Sequence, residues 1–528
     1  MSSYDAVVIG AGPNGLVAAN RLADAGWSVL VLESAPEVGG AVHSAEDVHT
    51  GFVHDTFSSF YPLAAASAAI RSFRLEEHGL RWRHAPAVLG HVRGDGSWAV
   101  LHRERERTAE LFEADHRGDG ERWLELCRVW DRIGEQIVHA LLTPFPPVRP
   151  GLGIARRLPR VGGLEFIRTL LTPVADPTLW PFQGDGPTLL LAGNAGHSDI
   201  PLQAPGSGLM GLLMTMLGQT VGFPVPEGGA GRLAEALARR LRAKGGEIRC
   251  ASPARRIVVE RRRVVAVEPA DGTRVTARRA VVAAVVAPIL YGRLLAEDDV
   301  PGRVRRGMRR FQWDPGTVKV DWALSAPVPW SDAPAYPPGT VHVADDLADM
   351  TQALGQLSAD LVPARPFLLA GQMTTSDPTR SPLGTESMWA YTHVPRKTAG
   401  DAGDGGISGR WDRDECERFA DRIQDRIEAR APGFGERILT RRVLGPHELE
   451  SRNPNLDQGS LNGGTSQLHQ QLVFRPVPGF GRAETGIRGL YLGSASAHPG
   501  GGVHGAPGMN AARAALAHDR VRRLGPRR

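Results

Sequence analysis

Three glycines near the start of the chain have the spacing of a phosphate-binding turn. Gly10, Gly12 and Gly15 form G-x-G-x-x-G directly after the apolar run 6–9, and that run predicts a buried parallel strand. Gly10 allows a tight turn, Gly12 lets the backbone approach a pyrophosphate, and Gly15 lets the next helix pack closely on the strand. This chemistry is the binding of a dinucleotide.

The residues that follow complete the pattern. A helix opening at Pro13 and Asn14 would direct its free N–H groups and partial positive charge at the phosphates. The run 29–32 predicts the second strand, and Glu33 at its end, beside Ser34, is placed to accept hydrogen bonds from a ribose diol. Strand, glycines, helix, strand and acid in this order are far more specific than the glycines alone.

A second glycine pair, Gly39-Gly40, follows the ribose acid at short distance. Such a pair is typical of enzymes that resemble the FAD-binding amine oxidase and phytoene desaturase superfamily, and it separates flavin from nicotinamide. Many members continue with an arginine that helps hold the pyrophosphate. Here Ala41 follows, so we expect the backbone to provide more of that contact.

The last forty residues carry a second motif. Residues 489–508 contain His-Pro-Gly-Gly-Gly-Val-His-Gly-Ala-Pro-Gly, which resembles the flavin-closing motif of phytoene desaturase-like enzymes. The pattern, with residues 51–55, 61–67 and 222–231, is most similar to the branch related to pyridine nucleotide-disulfide oxidoreductase domain-containing protein 2. The resemblance extends over nearly the whole chain and implies an FAD-dependent oxidoreductase.

The resemblance also assigns residues to the cofactor. Gly10, Gly12, Gly15, Glu33, Gly39 and Gly40 would hold the ADP half of FAD. Ala254 would lie against the adenine and Ala283 near the pyrophosphate. The remaining residues would approach the ribityl chain and flavin ring: Gly493, Gly502, Val503 and Met509.

Catalytic residues are harder to assign, because in these flavoenzymes the protein mainly positions a C–H bond over flavin N5. Lys319 lies in a strand-like segment that resembles the place where amine oxidases put a lysine near N5; the alternative is an ordinary exposed or strand-edge lysine. His504 would contact the substrate or be a solvated loop histidine. His498 is expected to order its loop. Tyr391 and His393 share one strand face, toward either the substrate cavity or the core.

Length and periodicity predict an α/β protein with two domains. A discontinuous Rossmann-type FAD-binding domain would comprise residues 1–70, 224–300 and 485–528. A second, mixed α+β substrate-binding domain would comprise residues 71–223 and 301–484. The Met-rich run 209–221 predicts a core helix.

Composition excludes several classes of function. The net charge is +5, but arginines alternate with acids, so no stripe for nucleic acid forms. Cys127, Cys250 and Cys416 are isolated, without metal or redox spacing, which fits a cytoplasmic protein. Residues 143–163 mix arginines with apolar residues. They are predicted to be either a basic surface loop or a membrane-touching or substrate-entrance element. The protein is expected to be cytoplasmic, and the second alternative would add a peripheral membrane contact.

Three functions fit these observations. The first is an FAD-dependent oxidoreductase that desaturates or isomerises a largely apolar small molecule by hydride transfer to flavin N5. The second is amine oxidase-type C–N oxidation, and the third is a flavin-binding interaction or scaffold protein. No second G-x-G-x-x-G lies on a strand–helix unit, so we expect electrons to leave to oxygen or a quinone.

Overall fold

Two seven-stranded sheets organise the chain. The computed structural model describes residues 2–176 and 178–524. The strands are β1 Ser3–Ile9, β2 Val29–Leu32, β3 Ser44–His49, β4 Phe52–Asp55, β5 Trp82–Arg83, β6 Ala87–Val92, β7 Trp98–Leu101, β8 Val225–Pro226, β9 Glu247–Arg249, β10 Ala254–Glu260, β11 Arg263–Pro269, β12 Val275–Ala283, β13 Gly316–Leu324, β14 Pro338–Val343, β15 Leu361–Val362, β16 Leu368–Gln372, β17 Glu386–Val394, β18 Gly400–Asp401, β19 Ile438–Leu444 and β20 Leu490–Leu492.

Helices connect and cover these strands. They are α1 Pro13–Ala23, α2 Pro62–Ala66, α3 Ala68–Arg71, α4 Arg105–Asp115, α5 Asp119–Leu142, α6 Val148–Arg157, α7 Leu164–Leu171, α8 Gly186–Ala195, α9 Ser207–Thr220, α10 Gly231–Ala243, α11 Ala287–Ile289, α12 Gly302–Met308, α13 Leu347–Ser358, α14 Met373–Ser376, α15 Arg413–Glu428, α16 Pro446–Arg452 and α17 Ala506–Leu524.

The first sheet has the order β10-β11-β12-β1-β2-β9, and β20 also pairs with β12. Strands β1, β2, β9, β12 and β20 are parallel to one another, whereas β11 pairs antiparallel with both β10 and β12. Helices α1, α10 and α17 pack on one face, and residues around the π-helical turn Leu290–Leu294 pack on the other. Because both faces are covered, β2 and the carboxyl-terminal halves of β1 and β12 are apolar runs, and the carboxyl ends of the parallel strands meet at one edge of the sheet.

The second sheet has the order β19-β13-β17-β16-β14-β6-β7. Helix α15 packs Phe419, Ile423 and Ile427 against one face, around Val320 and Trp322 of β13. Helices α5, α8 and α9 cover the other face. The prediction of a core helix over 209–221 is confirmed, because α9 buries Leu212, Leu213, Met216 and Leu217.

The strands of the two sheets alternate along the chain as the predicted domains do. The first sheet takes its strands from residues 3–32, 247–283 and 490–492, and the second from residues 87–101 and 316–444. This arrangement supports the predicted division into two domains, whose boundaries stay a prediction.

Candidate functional site

A cleft of about 900 Å³ lies at the carboxyl edge of the parallel strands of the first sheet. Its volume is in the range of small-molecule and cofactor sites. Ten of the residues predicted to hold the cofactor line it: Gly10, Gly12, Pro13, Asn14, Gly15, Glu33, Ser34, Gly40, Ala41 and Ala254.

Each of the three glycines of the first turn is needed for a different structural reason. Gly10 has φ +98°, a left-handed conformation, and its N–H donates to the Leu32 carbonyl oxygen at 2.8 Å. A Cβ on Gly15 would lie 2.0 Å from the Gly10 carbonyl oxygen, so helix α1 can approach β1 only with glycine there. A Cβ on Gly12 would meet no protein atom within 3.8 Å, its nearest neighbours being at 3.9 Å. The space at Gly12 is therefore kept open toward the cleft.

Glu33 ties the ends of β1 and β2 together. Its Oε2 accepts the N–H of Ala11 at 2.6 Å, and its Oε1 accepts the N–H of Ala35 at 2.8 Å and the hydroxyl of Ser34 at 3.1 Å. The side chain is nearly buried yet lines the cleft. The carboxylate therefore organises the glycine turn and retains acceptor positions toward the cleft.

The second glycine pair packs directly on the first turn. The N–H of Gly39 donates to the Ala11 carbonyl oxygen at 3.0 Å, and a Cβ on Gly40 would lie 3.2 Å from Gly12 Cα. Gly40 has φ +55°. The two glycine turns predicted from separate motifs thus form one wall, and Ala41 continues it.

Apart from Ser494 of the closing loop, the opposite wall consists of residues 453–463, which have no recognisable motif. It includes Asn453, Asn455, Leu461, Gly463 and Ser494. The Oδ1 of Asn455 accepts the N–H of Val286 at 2.9 Å, which ties this wall to the segment after β12. Sequence reasoning missed residues 453–463, and their only common feature is a high content of Asn, Pro and Gly.

One buried carboxylate shapes that wall. Asp314 accepts the N–H groups of Leu461 (2.7 Å), Asn462 (2.8 Å) and Gly464 (3.0 Å), and also the hydroxyl of Ser460. Four donors on one side chain fix the backbone of residues 460–464 against the second sheet. This segment is therefore a rigid part of the cleft.

Arginines add positive charge around the cleft. Arg255, Arg293 and Arg452 line it. Arg452 pairs with Asp47 at 3.2 Å and Glu448 at 3.0 Å, whereas Arg255 and Arg293 have no acidic partner among the described residues. These side chains offset the absence of an arginine at position 41.

Lys319 is neither an exposed lysine nor a residue of the cleft wall. Its side chain is 4% exposed, its ammonium pairs with Asp321, and it donates to the Asp55 carbonyl oxygen at 2.9 Å. Burial raises the pKa of the Asp321 carboxyl, but the charges of Lys319 and Arg442 outweigh burial and hold that pKa below its usual range. The exposed alternative is wrong, and the arrangement supports a structural ion pair rather than the predicted position beside flavin N5.

His504 is buried and fully used within its own loop. Its Nδ1 accepts the N–H of Ala506 at 3.1 Å, so Nε2 carries the proton and donates to the Gly501 carbonyl oxygen at 3.1 Å. Burial lowers the pKa of His504 to about 4. The solvated alternative is therefore wrong, and a neutral His504 caps the start of α17. The predicted catalytic role stays a prediction, and this geometry gives it no support.

His498 orders the same loop, as predicted. Its Nε2 bonds the Thr143 carbonyl oxygen at 2.9 Å. The Asn510 amide donates to the Leu142 carbonyl oxygen at 3.3 Å. The end of α5 is thus tied to the glycine-rich loop 493–505.

Comparisons with known proteins agree with this geometry. Residues 8–74 match a NAD(P)-binding Rossmann-like domain, and residues 162–376 match the flavin-containing amine oxidoreductase family. Pyridine nucleotide-disulfide oxidoreductase domain-containing protein 2 of Rattus norvegicus is 28% identical, over 96% of this chain and 92% of its own. These matches are consistent with the FAD oxidoreductase superfamily that includes flavin amine oxidases and desaturases.

Two further members show how wide this superfamily is. Hydroxyneurosporene desaturase of Rhodobacter capsulatus is 27% identical over 98% of this chain and 99% of its own. A solved structure of putrescine oxidase bound to putrescine covers 98% of this chain and 99% of its own, with a TM-score of 0.61 and 17% identity. At that identity the structure establishes a shared fold.

The cleft fits the flavin that this superfamily implies. The free N–H groups at the start of α1 and the open space at Gly12 suit a pyrophosphate. Asn14 Oδ1 is buried and lacks a hydrogen-bond partner within the described residues. A buried acceptor without a partner is costly, so it needs a donor such as a ligand hydroxyl.

Six residues predicted to hold the cofactor, two toward its ADP half and pyrophosphate and four toward the flavin, do not line the cleft. The prediction for Ala283 is wrong by one position. Its side chain packs in the core of the first sheet, and the next residue, Ala284, lines the cleft instead. Gly493 is needed for packing, because a Cβ there would lie 2.9 Å from Val282 Cγ1. Gly39 is similar, since a Cβ would lie 2.3 Å from the Val42 carbonyl oxygen.

The other three lie in the closing loop and in α17. Met509 is buried in the core between α1, α10 and α17, and Val503 packs against that core. A Cβ on Gly502 would lie 2.8 Å from Leu63 Cδ1. Ser494 and Ala495 of the same loop line the cleft. We call these two residues the flavin-side wall, because the resemblance places the flavin ring at this loop.

Tyr391 and His393 belong to the packed face of the second sheet. Trp389 and Tyr391 stack with ring centroids 5.8 Å apart, and Phe60 lies 6.0 Å from Trp389. His393 is buried and lies 5.8 Å from Tyr391. Of the two faces predicted for these residues, the core face is the observed one.

Proposed function

We propose that this chain is an FAD-dependent oxidoreductase that desaturates a largely apolar small molecule, or isomerises it. The carrying observation is the continuous cleft in which both glycine turns, Glu33 and the 453–463 wall come together. The similarity to hydroxyneurosporene desaturase over almost the full length supports this reaction class. Bound FAD would supply the acceptor for a hydride at N5.

The chain's own contribution begins with binding and orientation. Glu33 would accept from the adenosine ribose, and the N-terminus of α1 would meet the pyrophosphate with its free N–H groups. Arg452, held by Asp47 and Glu448, supplies positive charge at the rim of the cleft. Together these groups fix the position of the dinucleotide and so the place of the reacting ring.

An apolar substrate suits the side chains between the two sheets. Phe60 and Leu63, which follow the cleft residues Thr56 and Phe57, lie between the second sheet and the closing loop. Leu63 reaches Gly502 of that loop, and Phe60 packs near Trp389. A substrate that met this wall would bury apolar surface, which favours a hydrocarbon-like molecule.

Anaerobic reduction tests the proposal directly. The FAD-loaded protein is mixed without oxygen with polyenes, acyl compounds or amines, and the loss of flavin absorbance is followed. We expect a polyene or another apolar hydrocarbon to bleach the flavin, and oxygen or a quinone to restore the colour. Product analysis separates desaturation from isomerisation. Isomerisation is redox-neutral and need not bleach the flavin, so the proposal is contradicted if no apolar compound bleaches the flavin and none is isomerised.

Amine oxidation is the second candidate. It is favoured by the match of residues 162–376 to the flavin-containing amine oxidoreductase family. The stacked pair of Trp389 and Tyr391 is buried, and Lys319 lies 5.8 Å from the centre of the Trp389 ring. A cation already occupies that ring's neighbourhood, so a cationic amine is disfavoured there. Bleaching by amines alone would establish this second function.

A further inference from the structure

Eight large apolar side chains are exposed on one surface of the protein. Val148 is 64% and Leu164 is 79% exposed. All eight lie in α6, in α7 or in residues 468–474: Val148, Leu152, Leu164, Ile167, Leu171, Leu468, Leu472 and Phe474. We call this set the apolar surface. Side chains of this size seldom cluster in solvent without a partner.

The segment that contains α6 and α7 and the segment 468–474 are neighbours in the fold. The N–H of Gly206 donates to the Leu171 carbonyl oxygen at 3.0 Å, and a Cβ on Gly206 would lie 3.5 Å from the Leu468 side chain. The N–H of Phe145 donates to the Gly481 carbonyl oxygen at 2.9 Å, and Gly481 lies against Val473. The exposed residues therefore form one continuous region.

Positive charge borders this region. Residues 143–171 contain five arginines and one acid, Glu165, which pairs with Arg168 at 2.7 Å. The other four make no ion pair with the described residues: Arg149, Arg156, Arg157 and Arg160. In α6, Val148 and Leu152 are one turn apart, and Arg149 and Arg156 are two turns apart on an adjacent stripe. Helix α6 is thus apolar on one exposed side and basic beside it, and α7 adds further exposed apolar residues.

We infer that the apolar surface docks on an anionic lipid bilayer. Short amphipathic helices that combine exposed leucines with arginines lie in the plane of the bilayer interface. Each arginine near an anionic leaflet adds to the attraction. A second copy of this chain is a poorer occupant, because a two-fold interface would set the same unpaired arginines against one another.

The docking surface lies next to the cleft's closing loop. Leu142 and Thr143, just before α6, accept hydrogen bonds from Asn510 and His498. A molecule dissolved in the bilayer would therefore meet the protein beside the loop that supports the flavin-side wall. The docking does not rest on the proposed reaction, since it is tested by lipid alone.

Vesicle flotation of the full FAD-loaded chain is the experiment. Vesicles of phosphatidylcholine alone are compared with vesicles of phosphatidylcholine and phosphatidylglycerol in equal amounts. We expect the protein to float with the anionic vesicles and to be released by high salt. Arg156→Gln with Arg160→Gln should lower the anionic partition coefficient by about 30-fold. Leu152→Ser with Leu164→Ser should lower it by about tenfold or more.

Matched variants elsewhere serve as controls. Arg413→Gln with Arg418→Gln removes two exposed arginines of α15, and Leu383→Ser with Leu439→Ser removes two exposed leucines. These variants should float like the original protein. In the Leu164→Trp variant, brominated lipid should quench more tryptophan fluorescence than it does in the original protein. In the Leu383→Trp variant it should quench no more than in the original protein.

Three results would overturn the inference. The first is that the protein does not float with anionic vesicles. The second is that the control variants lose as much vesicle binding as the variants of the apolar surface. The third is that the protein is a dimer that does not bind vesicles and that Leu152→Ser with Leu164→Ser dissociates. FAD content and the unfolding midpoint of each variant show that the fold is intact, as expected for exposed side chains.

Discussion

Gly12 offers a test of the cleft that leaves the fold intact. Gly12 has φ −71° and is the N-cap of α1, and its nearest neighbours to an added Cβ are 3.9 Å away. Threonine is about as good as glycine at an N-cap, so Gly12→Thr should change the free energy of unfolding of the apoprotein by less than about 0.5 kcal/mol. Its side chain would occupy the space that the pyrophosphate needs.

The expected loss of FAD affinity follows from the contacts that are displaced. A hydrogen bond to a charged group contributes about 1.5–3 kcal/mol. Losing one between the glycine turn and the pyrophosphate weakens binding by about ten- to 150-fold. Titration of apoprotein with FAD, followed by flavin fluorescence, measures this change, and urea unfolding of the apoprotein measures stability.

Gly15→Ala is the matched comparison. Its Cβ would lie 2.0 Å from the Gly10 carbonyl oxygen, and overpacking of this kind costs about 1–3 kcal/mol or more. The better helix propensity of alanine returns about 1 kcal/mol. A 2.0 Å approach to a backbone oxygen puts the overpacking cost at the upper end of that range, so we expect a net loss of about 2 kcal/mol or more in apoprotein stability. The reasoning is refuted if Gly12→Thr binds FAD normally, or if it unfolds the apoprotein while Gly15→Ala does not.

Three further substitutions separate binding, structure and chemistry. Glu33→Ala should weaken FAD binding by about 1.5–3 kcal/mol and also destabilise the apoprotein, because the Ala11 N–H loses its acceptor. Unchanged FAD titration and unfolding curves would show that Glu33 contributes neither to FAD binding nor to stability. Lys319→Met should cost about 1.5–3 kcal/mol of stability, because Asp321 loses one charged hydrogen-bond donor while Arg442 still pairs with it. Both flavin half-reactions should stay normal in rapid mixing, and slowed reduction at full stability would restore Lys319 to the catalytic site. The pKa of His504 is lowered to about 4, so the unfolded chain binds this proton first and stability falls as pH drops from about 6.5 toward 4. His504→Asn keeps an acceptor for Ala506 and should flatten that part of the stability–pH curve, and an unchanged curve would contradict the assignment.

The ADP half of the cleft could be predicted from sequence because local rules determine it. The run 29–32 coincides with β2, since a strand covered on both faces is apolar throughout. Gly10, Gly15 and Glu33 are required by a turn, a helix–strand approach and a strand end, all within thirty residues. Such constraints are visible in residue types and spacing.

The errors came from alternation and long-range packing. Side chains of a strand point to opposite faces in turn, so the shift from Ala283 to Ala284 exchanges core for cleft. Lys319 and Asp321 alternate with apolar residues as exposed positions of a strand do. The segment β3–β4 covers that face instead, and contacts between residues 55 and 319 leave no local pattern.

The wall at 453–463 could not be predicted because its backbone, not its side-chain types, forms it. Asp314 holds four donors of residues 460–464 from 146 or more positions away. A lone aspartate between two strands carries no sequence indication of that role. The same is true of His504, whose ring caps a helix only because the loop before α17 folds back on itself.

The buried charges explain how a wall of the cleft is held between two sheets. Asp55 at the end of β4 accepts Ser44 Oγ at 2.7 Å and the N–H of Ala230 at 2.8 Å, and it pairs with the fully buried Arg380. Lys319 binds the Asp55 carbonyl oxygen from the second sheet. Buried ion pairs contribute little net stability but fix direction and register, which apolar packing alone does not. The β3–β4 hairpin is followed directly by the cleft residues Thr56 and Phe57. Weakening these ion pairs should therefore lower the affinity for FAD without slowing the reduction or reoxidation of the FAD that remains bound.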